Sequence, residues 1–273
     1  MGRYTLNPAM PVLLRPDGAV QVGWDPRRAV LVQPPAGLSA AALAQLLRTL
    51  QSGATLADLQ MRFGVDAGEL VGSLVDAGVV VAAERRRMRC ASIRIHGRGP
   101  LSDLLAGALR CSGARVTRSS DVHATPPETT DLVVLSDSLV TDPRVVRELH
   151  TARVAHLPVR LRDGAGLVGP LVIPGVTSCL ACADLHRSDR DAAWPAVASQ
   201  LRDAVGTADR ATVLATAALA LNQVDRVIRA VRRDEAVGVS AEPPPTLDTT
   251  LEFDVNAGAI VARRWSRHPR CSC

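Results

Sequence analysis

Two pairs of cysteines carry the clearest chemical signal in this sequence of 273 residues: Cys179 with Cys182, and Cys271 with Cys273. Each pair presents two sulfurs to one centre, and four thiolates at about 2.3 Å complete the tetrahedral shell of a structural Zn²⁺. In a reducing compartment, paired thiols at such spacings are better explained by a metal than by disulfides. A zinc ion with four protein ligands has no open coordination position for a water molecule. The sequence therefore predicts a structural site that holds the C-terminal segment in place and does not catalyse a reaction.

Two other interpretations of these cysteines stay open. His268 is a substitute ligand for one of the terminal sulfurs, and Cys179 with Cys182 fits the C-x-x-C spacing of a redox pair. The remaining two cysteines, Cys90 and Cys111, stand alone, and we expect them to be buried apolar fillers.

A second candidate is the segment from His96 to Leu101, which follows a predicted strand and opens a predicted helix. Gly97 and Gly99 match the first two glycines of the G-x-G-x-x-G nucleotide loop, but Ser102 stands at the third. Pro100 also removes a backbone N–H that could face a phosphate. We therefore predict a structural turn, at most a vestigial nucleotide loop. For Asp137, after a later strand, we favour a surface-loop position over the remnant of an acidic site residue.

Composition narrows the function classes. Hydrophobic residues make up 47% and charged residues 22%, which is typical of one or two globular domains. Aromatics are only 2%, too few for a platform that stacks single-stranded nucleic acid. All 32 basic residues are arginine, so chemistry that needs a lysine amine is excluded. No stretch can cross a bilayer or act as a signal peptide, and we expect a soluble cytoplasmic protein.

The first 88 residues read as a hairpin, a third strand, three helices and a closing strand, which is the element order of a winged-helix-like module. The predicted strands are Val12–Arg15, Ala19–Trp24, Arg28–Val32 and Val79–Ala83. Ser39, Thr55 and Asp66 are predicted to cap the helices. The third helix carries Asp66, Glu69 and Asp76 and no arginine, which disfavours docking on DNA.

Residues 89–273 alternate strand and helix, which predicts a doubly wound α/β domain with a parallel sheet. The boundary falls at the arginine-rich linker near Arg85–Cys90. A long apolar stripe on a helix over Asp209–Arg233 predicts a core helix and permits a homodimer. A final hairpin is predicted over Thr249–Val255 and Ala259–Trp265.

Several of these motifs together resemble the ThiF-like proteins of azole-forming peptide pathways, which are similar to ubiquitin-activating and MoeB/ThiF adenylylating enzymes. The resemblance covers most of the chain, and its motifs are Gly169–Gly175, Thr177–Cys182, Leu185–Arg187, Asp191–Pro195 and His268–Cys273. It implies a winged-helix-like peptide-recognition domain over 1–88 and a degenerate Rossmann-like ThiF/MoeB-type domain over 89–273, ending in a zinc-stapled hairpin.

The function implied by the resemblance is a non-catalytic scaffold that binds a precursor leader peptide, or a partner protein, and works with a YcaO-type cyclodehydratase. We expect the leader to add a strand at Ala19–Trp24 or Arg28–Val32, with Arg27 and Arg28 attracting acidic residues. The departures at Ser102 and in lysine content argue against ATP binding. The alternatives are an active ATP-dependent adenylyltransferase, in which arginines hold the phosphates, and a winged-helix DNA-binding regulator.

Overall fold

The computed structural model describes residues 2–83, 89–120, 129–233 and 243–273. The chain divides into two compact units, Met1–Arg87 and Met88–Cys273. The arginine run at 85–88 falls outside the described residues. Among the helices that are described, none combines the length and apolar character needed to span a membrane.

The first unit contains two small antiparallel sheets and three helices. One sheet has the order β2-β3-β4 and the other the order β5-β1-β6. The elements in chain order are β1 (Arg3–Leu6), β2 (Val12–Leu14), β3 (Val20–Val22), β4 (Val30–Val32), α1 (Ala40–Gln51), β5 (Ala54–Thr55), α2 (Leu56–Phe63), α3 (Gly68–Asp76) and β6 (Val80–Ala83).

The predicted hairpin, third strand and three helices of this unit are confirmed. The strand β1 was not predicted, and it changes the pairing because the closing strand β6 bonds to β1 and not to the hairpin. The winged-helix assignment therefore stays a prediction.

Local capping explains where the helices of this unit begin. The Ser39 side chain accepts a hydrogen bond from the Ala42 N–H at the start of α1. Thr55 and Asp58 form a reciprocal capping box on α2. The predicted cap of α3 is wrong by one residue, because the N-cap is Ala67 and has no side-chain hydrogen bond. Asp66 lies just before it and accepts from the N–H of Gly68, the first residue of the helix. Leucines of α1 fill the centre of the core.

The second unit is built on a seven-stranded sheet of order β13-β12-β11-β10-β9-β7-β8. Its strands are β7 (Ser92–His96), β8 (Arg115–Ser119), β9 (Leu132–Ser136), β10 (Ala155–Arg162), β11 (Ala165–Val168), β12 (Thr249–Asp254) and β13 (Ala259–Arg264). The prediction of a parallel sheet is correct for β8, β7, β9 and β10 only, since the other three strands are antiparallel.

The sheet changes direction at a two-residue hairpin between β10 and β11. Asp163 and Gly164 form this turn with φ of 52° and 81°. Positive φ at both central residues matches the right-handed twist of a hairpin, and Asp-Gly is a sequence that favours it. The chain therefore returns directly as the antiparallel strand β11, without a crossover helix after β10, and the sheet contains both parallel and antiparallel strands.

Five helices complete the second unit: α4 (Pro100–Leu109), α5 (Pro143–Thr151), α6 (Leu180–Arg190), α7 (Trp194–Leu201) and α8 (Arg210–Arg233). The predicted core role of α8 is confirmed, because Ala217, Ala220, Val224 and Ile228 are buried against α4 and the sheet. The helices α6 and α7 were not predicted. Only three residues of α6 and none of α7 are buried, so neither has a clear apolar stripe.

Candidate functional site

The four predicted cysteines come together in the second unit. The Sγ atoms of Cys179, Cys182, Cys271 and Cys273 all lie within 4.8 Å of one another. Their closest separations are 3.7 Å for Cys179 to Cys182, 3.5 Å for Cys179 to Cys271 and 3.5 Å for Cys182 to Cys273. Sulfurs on a tetrahedral zinc ion are about 3.8 Å apart, whereas a disulfide joins them at about 2.05 Å. The cluster therefore has the dimensions of a metal site, and all four thiols are free.

The start of α6 positions two of these sulfurs. Cys179 is the N-cap residue, and its Sγ accepts a hydrogen bond of 3.4 Å from the Cys182 N–H. The preceding residue is held by Asp248, whose carboxylate accepts from the Ser178 N–H at 2.6 Å. Both sulfurs are buried, and the N-terminus of a helix favours negative charge there.

The other two sulfurs come from the segment after β13, which is docked by contacts of its own. His268 is buried, with Nε2 2.8 Å from a carboxylate oxygen of Asp189 and Nδ1 accepting from the Arg270 N–H at 3.1 Å. Both nitrogens are thus engaged away from the cysteines. The expectation that His268 could replace a cysteine is not met, and it serves instead to fix the tail on α6.

The protonation of the cluster depends on what neighbours each sulfur. Burial raises the pKa of the Cys179 thiol and of the Cys273 thiol. Burial also opposes ionisation of Cys182, but hydrogen bonds from the backbone of His268 and Cys179 outweigh it and lower the pKa of this thiol to about 7. A divalent cation would reverse the effect of burial, because a coordinating thiol loses its proton. The donor set therefore fits a bound cation.

The two remaining cysteines correct the sequence prediction. Cys90 and Cys111 are exposed, not buried fillers. Cys90 lies two residues before β7, and Cys111 lies two residues after the end of α4.

The glycines of the turn after β7 are explained by contacts within the chain. Gly97 has φ of 150°, and a Cβ there would overlap the carbonyl of Ser136. A Cβ on Gly99 would lie 2.7 Å from the carboxyl carbon of Asp137. The turn therefore passes so close to the end of β9 that it excludes side chains at both positions.

The Asp137 carboxylate lies at the start of α4 and accepts hydrogen bonds from its first residues. Its Oδ1 accepts from the Leu101 N–H at 2.9 Å and its Oδ2 from the Ser102 N–H at 3.1 Å. The Ser102 hydroxyl also donates to Oδ2. Asp137 is only 1% exposed, so the expected surface-loop position is wrong. A carboxylate of the chain itself already satisfies the first N–H groups of the helix.

The cavity beside this turn is small and carries acidic groups. It has a volume of about 120 Å³ and is lined in part by Asp142, Asp203 and Arg202. Pockets for small molecules usually measure about 300–1,000 Å³. With Arg202 beside two carboxylates, one of them already paired with Arg144, the cavity has no excess of positive charge to attract a phosphate.

In the first unit, β4 is an edge strand and β3 is a central one. β3 pairs with both β2 and β4, so the predicted strand addition at Ala19–Trp24 is not available there. β4 has a neighbour on one side only, and Leu31 on it is 56% exposed. A cavity of about 430 Å³ lies near the sheet and is lined by Met10, Trp24 and Arg28 among others. Trp24 is 81% exposed.

Comparison with solved structures identifies the fold. A heterocyclase in complex with substrate and cofactor is similar over 100% of this chain, with a TM-score of 0.70 and 15% identity. The heterocyclase TruD is similar over 100% of the chain, with a TM-score of 0.69 and 16% identity. MccB of E. coli with ATP is similar over 99% of both chains, with a TM-score of 0.60 and 14% identity. The chain has the fold of MccB and of the part of these heterocyclases that it matches.

The extent of the likeness differs between these proteins. The chain spans 39% and 42% of the two heterocyclases, about two fifths of their length. No protein-family model matches the sequence, and no curated protein matches it. At such low identity the likeness establishes the fold alone.

Proposed function

We propose that this chain is a non-catalytic scaffold that binds the leader segment of a precursor peptide in the cytoplasm. It presents the rest of that peptide to a separate YcaO-type enzyme, which carries out the ATP-dependent cyclodehydration. In this proposal residues 1–88 recognise the leader, and residues 89–273 form the ThiF-like body. The likeness to heterocyclases, one of them in complex with substrate and cofactor, supports a role in peptide modification.

The observation that carries the non-catalytic role is the position of Asp137. Its two oxygens take the Leu101 and Ser102 N–H groups, so a phosphate would have to displace a buried carboxylate that accepts three hydrogen bonds. Hydrogen bonds to a charged group are each worth about 1.5–3 kcal/mol. Gly97 and Gly99 are accounted for by the approach of the turn to β9, and a cradle for phosphate is not needed to explain them.

Leader binding is supported by the free edge of β4. A peptide that pairs with this edge gains main-chain hydrogen bonds, and pockets for alternate side chains give specificity. Leu31 lies on the solvent face of the sheet, since it pairs with Gln21, which in turn pairs with Leu13 on β2. Arg27 is paired with Asp25 at 3.2 Å, which leaves Arg28 as the better candidate to attract an acidic leader residue.

The experiment titrates the full chain by calorimetry with the synthetic leader segment of a precursor peptide. We expect saturable binding that is lost when alternate leader amides are N-methylated, because methylation removes strand hydrogen bonds and leaves charge unchanged. Leu31→Glu weakens binding by about tenfold or more. The matched control is Leu13→Glu, on the same face but at the opposite edge, and it leaves affinity unchanged. Equal binding of the N-methylated leader, or no binding at all, contradicts the proposal.

The metal in this proposal is a structural Zn²⁺ held by Cys179, Cys182, Cys271 and Cys273. Four sulfurs at tetrahedral spacing suit zinc, and no fifth protein group is needed. When bound, the ion would tie the start of α6 to the segment after β13 and would supply stability.

A further inference from the structure

An arginine-rich cavity in the second unit belongs to neither the cysteine cluster nor the turn after β7. It has a volume of about 280 Å³, and we call it the Arg160 cavity. Its walls include apolar residues from the loop after β9 and from α5, β11 and α6, namely Val140, Pro143, Val146, Leu167, Pro170 and Leu180. Five arginines and one aspartate supply its charge: Arg147, Arg160, Arg162, Arg187, Arg263 and Asp184.

Arg160 forms no ion pair with a carboxylate in the part of the chain that the structure describes, and Asp184 acts on it only at longer range. It is half-buried on β10, and its Nη1 donates to the carbonyl of Leu139 at 2.7 Å. None of the ion pairs found among the described residues involves it. Burial lowers the pKa of Arg160 to about 10, so the guanidinium stays charged at neutral pH. A cation withdrawn from water in this way is stabilised when an anion enters the cavity.

Arg187 is held rigidly at the same cavity. Its guanidinium carbon lies 5.0 Å from the ring centre of Trp194 and 5.1 Å from that of Trp265. Asp184 accepts from Arg187 at 2.7 Å and from the Trp194 indole at 3.2 Å. Two of the three tryptophans in the chain thus position one arginine. Rigid donors bind an oxyanion with less loss of side-chain freedom than mobile ones.

The acidic residues near the cavity do not neutralise its arginines. Arg162 and Arg263 share a single carboxylate, Glu252, at 3.2 Å and 2.8 Å. Asp184 is already bonded to Arg187. With Arg160 and the exposed Arg147 added, the cavity has an excess of positive charge beside apolar walls.

We propose that the Arg160 cavity binds a peptide carboxylate carried on an apolar segment, with Arg160 and Arg187 holding the oxyanion. Guanidinium groups match the geometry of a carboxylate, and the apolar walls take the side chain next to it. The volume is near the lower end of small-ligand pockets, which suits a fragment of one or two residues. Nothing in this proposal depends on strand addition at β4, so either can fail alone.

The test is calorimetric titration of the full chain with three capped dipeptides. They are N-acetyl-alanyl-leucine with a free C-terminus, the same peptide as its amide, and N-acetyl-leucyl-glutamic acid amide, whose only carboxylate is on a side chain. We expect the free acid to bind at least about tenfold more tightly than its amide. Binding of the glutamate peptide as well shows that the site accepts a carboxylate from a side chain or a C-terminus, and its failure assigns the site to C-termini. Equal affinity of acid and amide, or no binding of any peptide, overturns the proposal.

Variants locate the site. Arg160→Gln is expected to lower affinity for the bound peptide by about tenfold or more, because it removes the buried charge. Arg147 is at the exposed rim of the cavity, and Arg147→Gln is expected to lower the affinity for the peptide by about threefold without affecting the fold. Arg210→Gln, an exposed arginine at the start of α8 outside the cavity, is the matched control and leaves affinity unchanged. Wild-type affinity in both cavity variants overturns the proposal.

Discussion

At the scale of single residues, Asp137 decides how the turn after β7 is interpreted. The sequence shows a partial glycine motif and an aspartate 38 residues beyond Gly99, with nothing to say that they touch. The structure places the carboxylate on the first N–H groups of α4. Contacts between residues so far apart in sequence depend on sheet order, and no local pattern reports them. The sequence shows the two glycines of this turn, but not that the close approach of Ser136 and Asp137 requires them.

His156 gives the chain a pH dependence that can be measured. It is fully buried on β10, its Nδ1 lies 3.1 Å from the Val154 carbonyl, and burial lowers its pKa to about 4. The unfolded chain binds a proton near pH 6.5, so stability is complete above that pH and falls as the pH drops toward 4. We expect protonation of His156 to lower the free energy of unfolding by about 3 kcal/mol as the pH falls from about 6.5 to 4.

The variant His156→Asn separates this effect from other titrations. Asparagine can keep the hydrogen bond to the Val154 carbonyl, and it does not titrate. Urea unfolding at several pH values between 4 and 7 should therefore show a flatter profile for the variant than for the wild type. Parallel profiles would mean that His156 does not carry the dependence.

At the scale of elements, local signals were reliable where they were strong. Ser39 and the Thr55–Asp58 capping box fixed the starts of α1 and α2, and the turn at Pro16–Gly18 fixed the first hairpin. The hairpin at Asp163–Gly164 was not predicted, although Asp-Gly favours such a turn. β1 was missed because four residues carry little periodicity.

The cysteine cluster joins two elements, and we expect its loss to loosen both. Cys271→Ser or Cys179→Ser should remove most of one zinc ion per chain and lower the melting temperature, because metal binding and folding are coupled. Cys90→Ser is the matched control, an exposed cysteine outside the cluster, and should change neither quantity. The measurements are metal content by plasma mass spectrometry and thermal unfolding. Metal-free wild type with Cys179 and Cys182 oxidised to a disulfide would favour the redox interpretation.

At the scale of the whole molecule, spacing in the sequence predicted the cysteine cluster better than it predicted the sheet. The four cysteines were identified correctly as a group because C-x-x-C and C-x-C are local patterns with few uses. The antiparallel half of the sheet and the Arg160 cavity could not be predicted, because each depends on how β10, α6 and β13 are placed together. The fold itself is shared with heterocyclases and with MccB.

In the proposed function, the start of α4 does not hold a nucleotide. Calorimetric titration of the full chain with Mg·ATP tests it most directly, with MccB under the same conditions as the positive control. We predict no saturable heat at millimolar ATP, because the Asp137 carboxylate already occupies the N–H groups that a phosphate would need. Saturable binding of one ATP per chain would contradict the claim and would favour an active adenylyltransferase.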